Sequence, residues 1–355
     1  MIITETKLTR ATQKSLPFPT FPATKFMGSK QSILPFIMRR VDRLEFQNVL
    51  DAFSGSGCVA YAFKRLGAQV HANDFLRFAF HIAHATVENN ATRLTEEDVR
   101  DLLKPNKNAG TFIQDTFGSL YFSEEDNLFL DNLWANIKHL RSHLKRSLAL
   151  AAACRAAMKK RPRGIFTFTG KKGWDGRRDL KLTMKEQFLS AVSEFNNAVW
   201  SNGKDNKATC ADVFDIDPQS YDLVYIDTPY ISPYSDCDYT RRYHFVEGFC
   251  TYWENQEIAE GTKTRKIRSY PTAFAKRSDA ISAFSRLFHH FRNSIQIVSY
   301  SSNGIPSEPD MVRLLREHKK TVQVWKTSHI YSFGNHGHKV GNNKNSVEEY
   351  LFLAK

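Results

Sequence analysis

The chain has 355 residues, 41% of them hydrophobic, with 50 Lys and Arg against 37 Asp and Glu and a formal charge of +13. That length supports a large core and two domains, and the positive balance points to a polyanion partner. No apolar run is long enough to cross a bilayer and no basic amphipathic helix favours a membrane surface, while five cysteines (Cys58, Cys154, Cys210, Cys237 and Cys250) without C-x-x-C spacing read as reduced thiols and not as a metal site.

Residues 1–22 read as a loose arm without an apolar signal segment, so the protein is expected in the cytoplasm. Lys25-Phe26-Met27-Gly28-Ser29-Lys30 then leads into a helical pattern of Ile33, Leu34, Ile37, Met38 and Val41, which Ser29 or Ser32 can cap. Lys30 suits a ligand carboxylate and Phe26 the flank of an adenine ring; a solvated lysine at a helix start is the plainer alternative. Asn48 to Phe53 reads as a buried strand, followed by the turn Ser54-Gly55-Ser56-Gly57 and a helix through Val59, Ala62, Phe63 and Leu66 that Gly67 closes. Strand, glycine turn and helix let the backbone approach a ligand closely. A second strand, Gln69 to Ala72, delivers Asp74, an acid able to accept hydrogen bonds from both ribose hydroxyls of a nucleoside. The turn reads F-x-G-x-G and lacks the third glycine that would seat a pyrophosphate on the helix N-terminus. That argues against a nicotinamide dinucleotide and for a nucleoside without phosphates, and S-adenosylmethionine fits. A turn of purely packing use is the alternative.

More than a hundred residues separate this strand from the next, too many for a crossover, with helical spacing at Leu140, Leu144 and Leu148 and again at Phe188, Val192, Phe195 and Val199. A separate helical lobe is expected. Lys159 to Lys181 carries nine Lys or Arg against Asp175 and Asp179, around an alternating, strand-like Gly164 to Gly170. A basic hairpin or loop there could bring Arg161, Arg163, Lys171, Lys172, Arg177 and Arg178 to phosphates and base edges, although a solvated loop has the same composition. Lys263, Arg265, Lys266 and Arg268 form a second cluster, suited to phosphates.

The apolar run Leu223-Val224-Tyr225-Ile226 ends in Asp227-Thr228-Pro229-Tyr230. An acid and a backbone carbonyl can accept both N–H bonds of a planar aromatic amine while the tyrosine ring stacks on its face. Alone, such a tetrapeptide equally closes a strand into a turn. Tyr234, Tyr239 and Tyr243 crowd the following loop. Further strands are predicted at Ala208–Ala211, Ile295–Ser299, Thr321–Trp325 and Glu348–Leu353, alternating with helices such as the one through Ile281, Phe284, Leu287, Phe288 and Phe291. The alternation predicts an α/β, doubly wound sheet with ligands at the strand ends.

In this order the segments resemble the Dam-type (class alpha) DNA adenine-N6 methyltransferases, whose motifs run K-x-x-G-x-K, F-x-G-x-G, a strand-tip acid, a long insertion and D-P-P-Y. Cys210 to Phe214, Arg242 to Gly248 and Val298 to Asn303 extend the likeness over most of the chain outside the insertion. The resemblance implies a Rossmann-like methyltransferase sheet with an inserted, mainly helical DNA-recognition domain. It divides the chain into the arm (1–22), an S-adenosylmethionine-dependent catalytic domain (23–86 and 207–355) and a target-recognition domain (87–206). It implies that Phe26, Lys30, Phe53, Gly55 and Asp74 contact the cofactor, that Asp212 lies near its adenine, and that Asp227 serves both cofactor and target amine. Tyr230 would stack on an adenine flipped out of duplex DNA. Thr228 stands where the family usually has proline; it keeps the main-chain carbonyl but loses the fixed φ. Monomeric action, and a place in a restriction-modification pair whose endonuclease acts separately, follow from the same likeness. N-methylation of RNA or of a protein amide, a non-catalytic DNA-binding protein on the same core, and more distantly a nicotinamide oxidoreductase are the competing readings.

Overall fold

The computed structural model describes residues 19–170, 176–231, 238–259, 261–274, 276–330 and 346–355. Among the described residues seven strands form one sheet: β1 (Asn48–Asp51), β2 (Gln69–Asp74), β3 (Lys207–Cys210), β4 (Leu223–Ile226), β5 (Ile295–Ser301), β6 (Val322–Ile330) and β7 (Ser346–Ala354), in the order β3-β2-β1-β4-β5-β7-β6. β3 to β5 and the strands between them are parallel, whereas β7 runs antiparallel to both β5 and β6. The strand order reverses between β1 and β4. In an open parallel sheet, the carboxyl ends of two such strands diverge into a crevice. Asp51 and Asp227 lie at that point.

Alternation along the strands divides the core into two faces. Val49, Leu223, Tyr225 and Ile297 join the cluster on one side, and Leu50, Val224, Ile226 and Val298 join that on the other. Burial on both faces explains why these strands read as continuous apolar runs. The first face is covered by α1 (Leu34–Val41), α2 (Cys58–Arg65) and α3 (Arg77–Ala83), and the second by helices at Ala280–His290 and Glu308–Arg316.

The insertion contributes α4 (Glu96–Leu102), α5 (Phe112–Phe117), α6 (Glu124–Ile137), α7 (His143–Lys159), α8 (Arg178–Lys181) and α9 (Met184–Ala198). Capping boxes, Thr95 with Asp98 and Thr183 with Glu186, start α4 and α9 by satisfying otherwise orphaned N–H groups. Every residue of α7 from Ser147 to Met158 is buried. Its alanines let neighbours approach from all sides, and it packs on α3, on α9 and on α10 (Tyr239–Phe249). The insertion therefore shares one continuous core with the catalytic sheet, where its length suggests a lobe apart. The arm is shorter than its expected bounds: Phe21 and Pro22 are buried, with the Phe21 ring 5.0 Å from Tyr61. Residues 1–18 of the expected arm lie outside the described residues. Among the described residues no helix is long and apolar enough to cross a membrane, and no group of three potential metal ligands occurs.

Candidate active site

The chain leaves β1 through Ala52 and Phe53 into the glycine turn. Gly55 adopts φ +48°, and a Cβ there would stand 3.0 Å from the Phe26 ring, so both backbone angle and space require glycine. Its N–H donates to Asp74 Oδ2 at 2.7 Å, and the Leu76 N–H donates to Oδ1 at 2.9 Å. These bonds lock the acid at the tip of β2. Burial nevertheless raises its carboxyl to about 6, with the backbone donors offsetting only part of that cost.

Around the turn opens a cavity of about 320 Å³, lined by Phe26, Lys30, Phe53, Gly55, Asp74, Asp212 and Asp227 to Tyr230. The structure thus brings every expected cofactor and catalytic residue to one place. Phe26 is fixed by stacking on Tyr243 (5.1 Å) and by Phe78 (5.9 Å). Phe53 meets Phe274 edge-on at 5.5 Å. Asp212 is exposed at the rim and caps a short turn by accepting the Phe214 N–H at 3.0 Å; Phe214 in turn stacks parallel to Phe274. Tyr270 closes another side of the cavity, its hydroxyl donating to Glu247, which also caps α3 through the Arg77 and Phe78 N–H groups.

Asp227 follows β4 and pairs with Lys30 at 2.9 Å. The Lys30 ammonium also donates to the Gly28 carbonyl at 3.1 Å and stands 4.7 Å from the Tyr230 ring centroid. The sequence pattern assigns Lys30 to a ligand carboxylate. In the structure its charge is engaged by Asp227, because a lysine that is only 4% exposed needs an anion close by. Burial raises the Asp227 carboxyl to about 6; Lys30 opposes this and Glu349 adds to it. Burial also pushes on the Lys30 ammonium, but Asp227 and Glu349 outweigh it and hold the pKa above its usual value. The Tyr230 hydroxyl donates to Glu349 Oε2 at 3.1 Å, and its ring lies edge-on to Tyr300 at 5.0 Å.

Two acids of the site escape the sequence reading. Asp51 ends β1 and is 1% exposed, and neither of its oxygens meets a donor in good geometry. Burial first, and then Asp227 and Asp74, push its carboxyl well up. Its only sequence signal is an acid inside an otherwise apolar strand. Glu349 is hidden beside Glu348; period-two alternation separates them, leaving Glu348 exposed and Glu349 buried.

The basic segments behave differently from one another. Arg161 is fully buried, its guanidinium donating to the carbonyls of Phe168, Tyr121 and Gly170, 4.8 Å from the Phe168 ring centroid. It cannot reach DNA from there: it pins the loop that follows it. Gly164 to Gly170 is accordingly bends and turns and not the expected strand, since carbonyls taken by Arg161 make no ladder. Arg163 is half-buried, whereas Arg177, Arg178 and the Lys263–Arg265 loop lie nearer the surface; Lys171, Lys172 and Tyr234 lie outside the described residues. The Tyr121 hydroxyl lies within hydrogen-bonding distance of the Phe166 and Thr264 carbonyls, which ties the two basic segments together. Gly164 (φ +73°) lets this loop close on Lys25, whose carbonyl a Cβ would meet at 2.6 Å. The basic loop thus sits next to Phe26 and the cavity wall.

Comparison with known proteins addresses the same residues. The chain is 26% identical to Type II methyltransferase M2.HphI of Haemophilus parahaemolyticus over 352 residues, covering 95% of this chain and 98% of that protein. It is 27% identical to modification methylase StsI of Streptococcus sanguinis over 328 residues, and 24% identical to Type II methyltransferase M.FokI of Planomicrobium okeanokoites over 364 residues. Those alignments take in 82% and 93% of this chain but only about half of the two longer proteins, 46% and 52%. The sequence profile of the D12 class N6 adenine-specific DNA methyltransferases matches residues 26–301, from the phenylalanine on the cavity wall to the end of β5. Because that span takes in the glycine turn, the strand-tip acid, the insertion and the Asp227 tetrapeptide, the chain belongs to the D12 class of adenine-specific DNA methyltransferases, enzymes that act on the exocyclic N6.

Proposed function

We propose that the chain is a site-specific methyltransferase that uses S-adenosylmethionine to modify an adenine flipped out of duplex DNA. The observation that carries this reading is the Lys30–Asp227 pair beside Tyr230 at the sheet's switch point, on one wall of the cavity. The cavity suits the cofactor. Aromatic Phe26, Phe53 and Phe214 offer apolar walls for a nucleoside, Asp74 suits a ribose diol, and buried Asp51, Ser54 and Thr228 carry polar atoms without partners, as an amino-acid tail would require. When bound, S-adenosylmethionine supplies an electrophilic methyl group.

The residues do the rest by placement. An adenine amine is a poor nucleophile because its lone pair is delocalised into the ring. The Asp227 carboxylate and the Thr228 carbonyl accept its two N–H bonds, favouring a pyramidal nitrogen with its lone pair toward the methyl. Asp227 need not be a strong base, since the amine becomes acidic only as the methyl arrives. Tyr230 stacks on the extruded base and returns part of the few kcal/mol that flipping costs. Residues 87–206 serve target recognition, with Arg163, Arg177 and Arg178 on phosphates or base edges, joined by Lys263 and Arg265 from the catalytic domain. Action as a cytoplasmic monomer, beside a restriction endonuclease that cuts the same site, completes the reading; the relatives' names as modification methylases support that last part.

Long-read modification sequencing of a methylation-free host expressing the chain tests it. One enriched motif carrying N6-methyladenine is expected, absent with Asp227→Ala. An unmodified genome from soluble, folded protein would transfer the assignment to RNA or to a non-catalytic role.

A further inference from the structure

Glu349 lies in β7, between Ser301 of β5 and Thr327 of β6, and is 1% exposed. A carboxylate buried in a sheet is costly unless charge and hydrogen bonds compensate it. Here the active site supplies both. The Tyr230 hydroxyl donates to Oε2 at 3.1 Å, and Lys30 is a cation that its charge acts on. Lys30 in turn holds Asp227 at 2.9 Å and stands over the Tyr230 ring. The Tyr230 ring is therefore restrained from three directions: by Lys30 near its face, by Tyr300 at 5.0 Å and 74°, and by Glu349 at its hydroxyl. The last of these anchors the far end of the side chain, where a small swing would tilt the whole ring.

We infer that Glu349 is a positioning residue for methyl transfer: it fixes the plane of Tyr230 as the platform for the flipped base and, through Lys30, the orientation of Asp227. This rests on the assignment of Tyr230 as that platform. A carboxylate kept only for the fold would have no reason to bond the one aromatic side chain of the catalytic tetrapeptide. The other ionisable groups facing Asp227 are Asp51 at the end of β1, Tyr225 of β4 and the Tyr230 hydroxyl, which favours the carboxylate.

The test is a double-mutant cycle on the full chain with Glu349→Ala, Tyr230→Phe and both together. Kinetics are read on a duplex of the modified motif, and flipping on the same duplex with 2-aminopurine, which has no N6 amine, in place of the target adenine. Each single variant should raise KM for DNA by roughly tenfold, the scale of a lost hydrogen bond to a charged group. Each should also weaken the 2-aminopurine fluorescence, while leaving the S-adenosylmethionine Kd near wild type. The double variant should be no worse than either single one. Glu349→Gln keeps an acceptor for Tyr230 but removes the like charge near Asp227, so its DNA KM stays near wild type and the acid limb of kcat moves to lower pH. Wild-type KM and flipping signal in Glu349→Ala, or losses that multiply in the double variant, overturn the inference. If Glu349→Ala does not fold, Glu349→Asp replaces it in the cycle, because it keeps the charge in the strand but withdraws the carboxylate from the Tyr230 hydroxyl. Wild-type protein that transfers no methyl group would instead sink the proposed function.

Discussion

Asp227 works under two opposing pressures, and their balance sets when it can act. Burial and Glu349 favour its protonated form and Lys30 favours the carboxylate, leaving the group at about 6. An acceptor for an amine N–H must be ionised, so kcat should fall as pH drops through about 6 and level off above it. Lys30→Met removes the cation and leaves burial and Glu349 opposed only by the weaker pull of the Tyr230 hydroxyl, so the acid limb should move to higher pH. A limb that stays in place, measured by kcat against pH on saturating DNA, would show that Lys30 does not set the charge state. Stability follows the opposite trend. A carboxyl raised from 3.8 to about 6 stabilises the fold most below its unfolded value and loses that contribution as pH rises through about 6. The group is kept ionised for function at some expense to the fold.

At the scale of single elements, the sequence is most legible where burial is two-sided and least where charge is involved. Leu223 to Ile226 is readable as a strand because both of its faces pack against apolar layers, so every position has to be hydrophobic. Asp74 and Gly55 are readable because a strand tip and a tight turn each demand a particular residue type. Arg161 is not. A run of basic residues looks the same whether each one meets water or, like Arg161, crosses a loop to three carbonyls. The difference is measurable. Arg161→Ala leaves those carbonyls without their donor and opens a cavity, so urea denaturation should show a loss of ~2–4 kcal/mol. Arg178→Ala with Lys263→Ala should leave the stability within ~0.5 kcal/mol of wild type, as exposed substitutions do. That pair should instead flatten the dependence of log DNA affinity on log salt by about 0.9 for each phosphate left without its cation. The reverse pattern would return Arg161 to the DNA interface.

Across the whole molecule, the insertion is less separable than its position in the sequence suggests. One buried cluster runs from Val49 and Tyr225 in the sheet through Ala79 and Ile82 of α3 to Leu148, Ala152 and Phe195 of α7 and α9. Lys64 of α2, fully buried, reaches the carbonyls of Thr86 and Asn89 where the insertion begins, and the Tyr61 hydroxyl donates to the Ala198 carbonyl near its end. Sequence spacing marks α7 as helical but does not show that it is buried on all sides, because a helix of alanines carries almost no amphipathic signal. Cooperativity is the consequence. Two lobes with separate cores would unfold in separate steps, whereas a shared core loses both at once. Trp134 and Trp200 report from the insertion, Trp253 and Trp325 from outside it. Urea unfolding of single-tryptophan variants should therefore give coincident midpoints from all four positions, matching that of the far-UV circular dichroism. An earlier transition at Trp134 and Trp200 would mean that the recognition segment opens on its own, and that it can reshape itself around DNA without disturbing the methyl-transfer site.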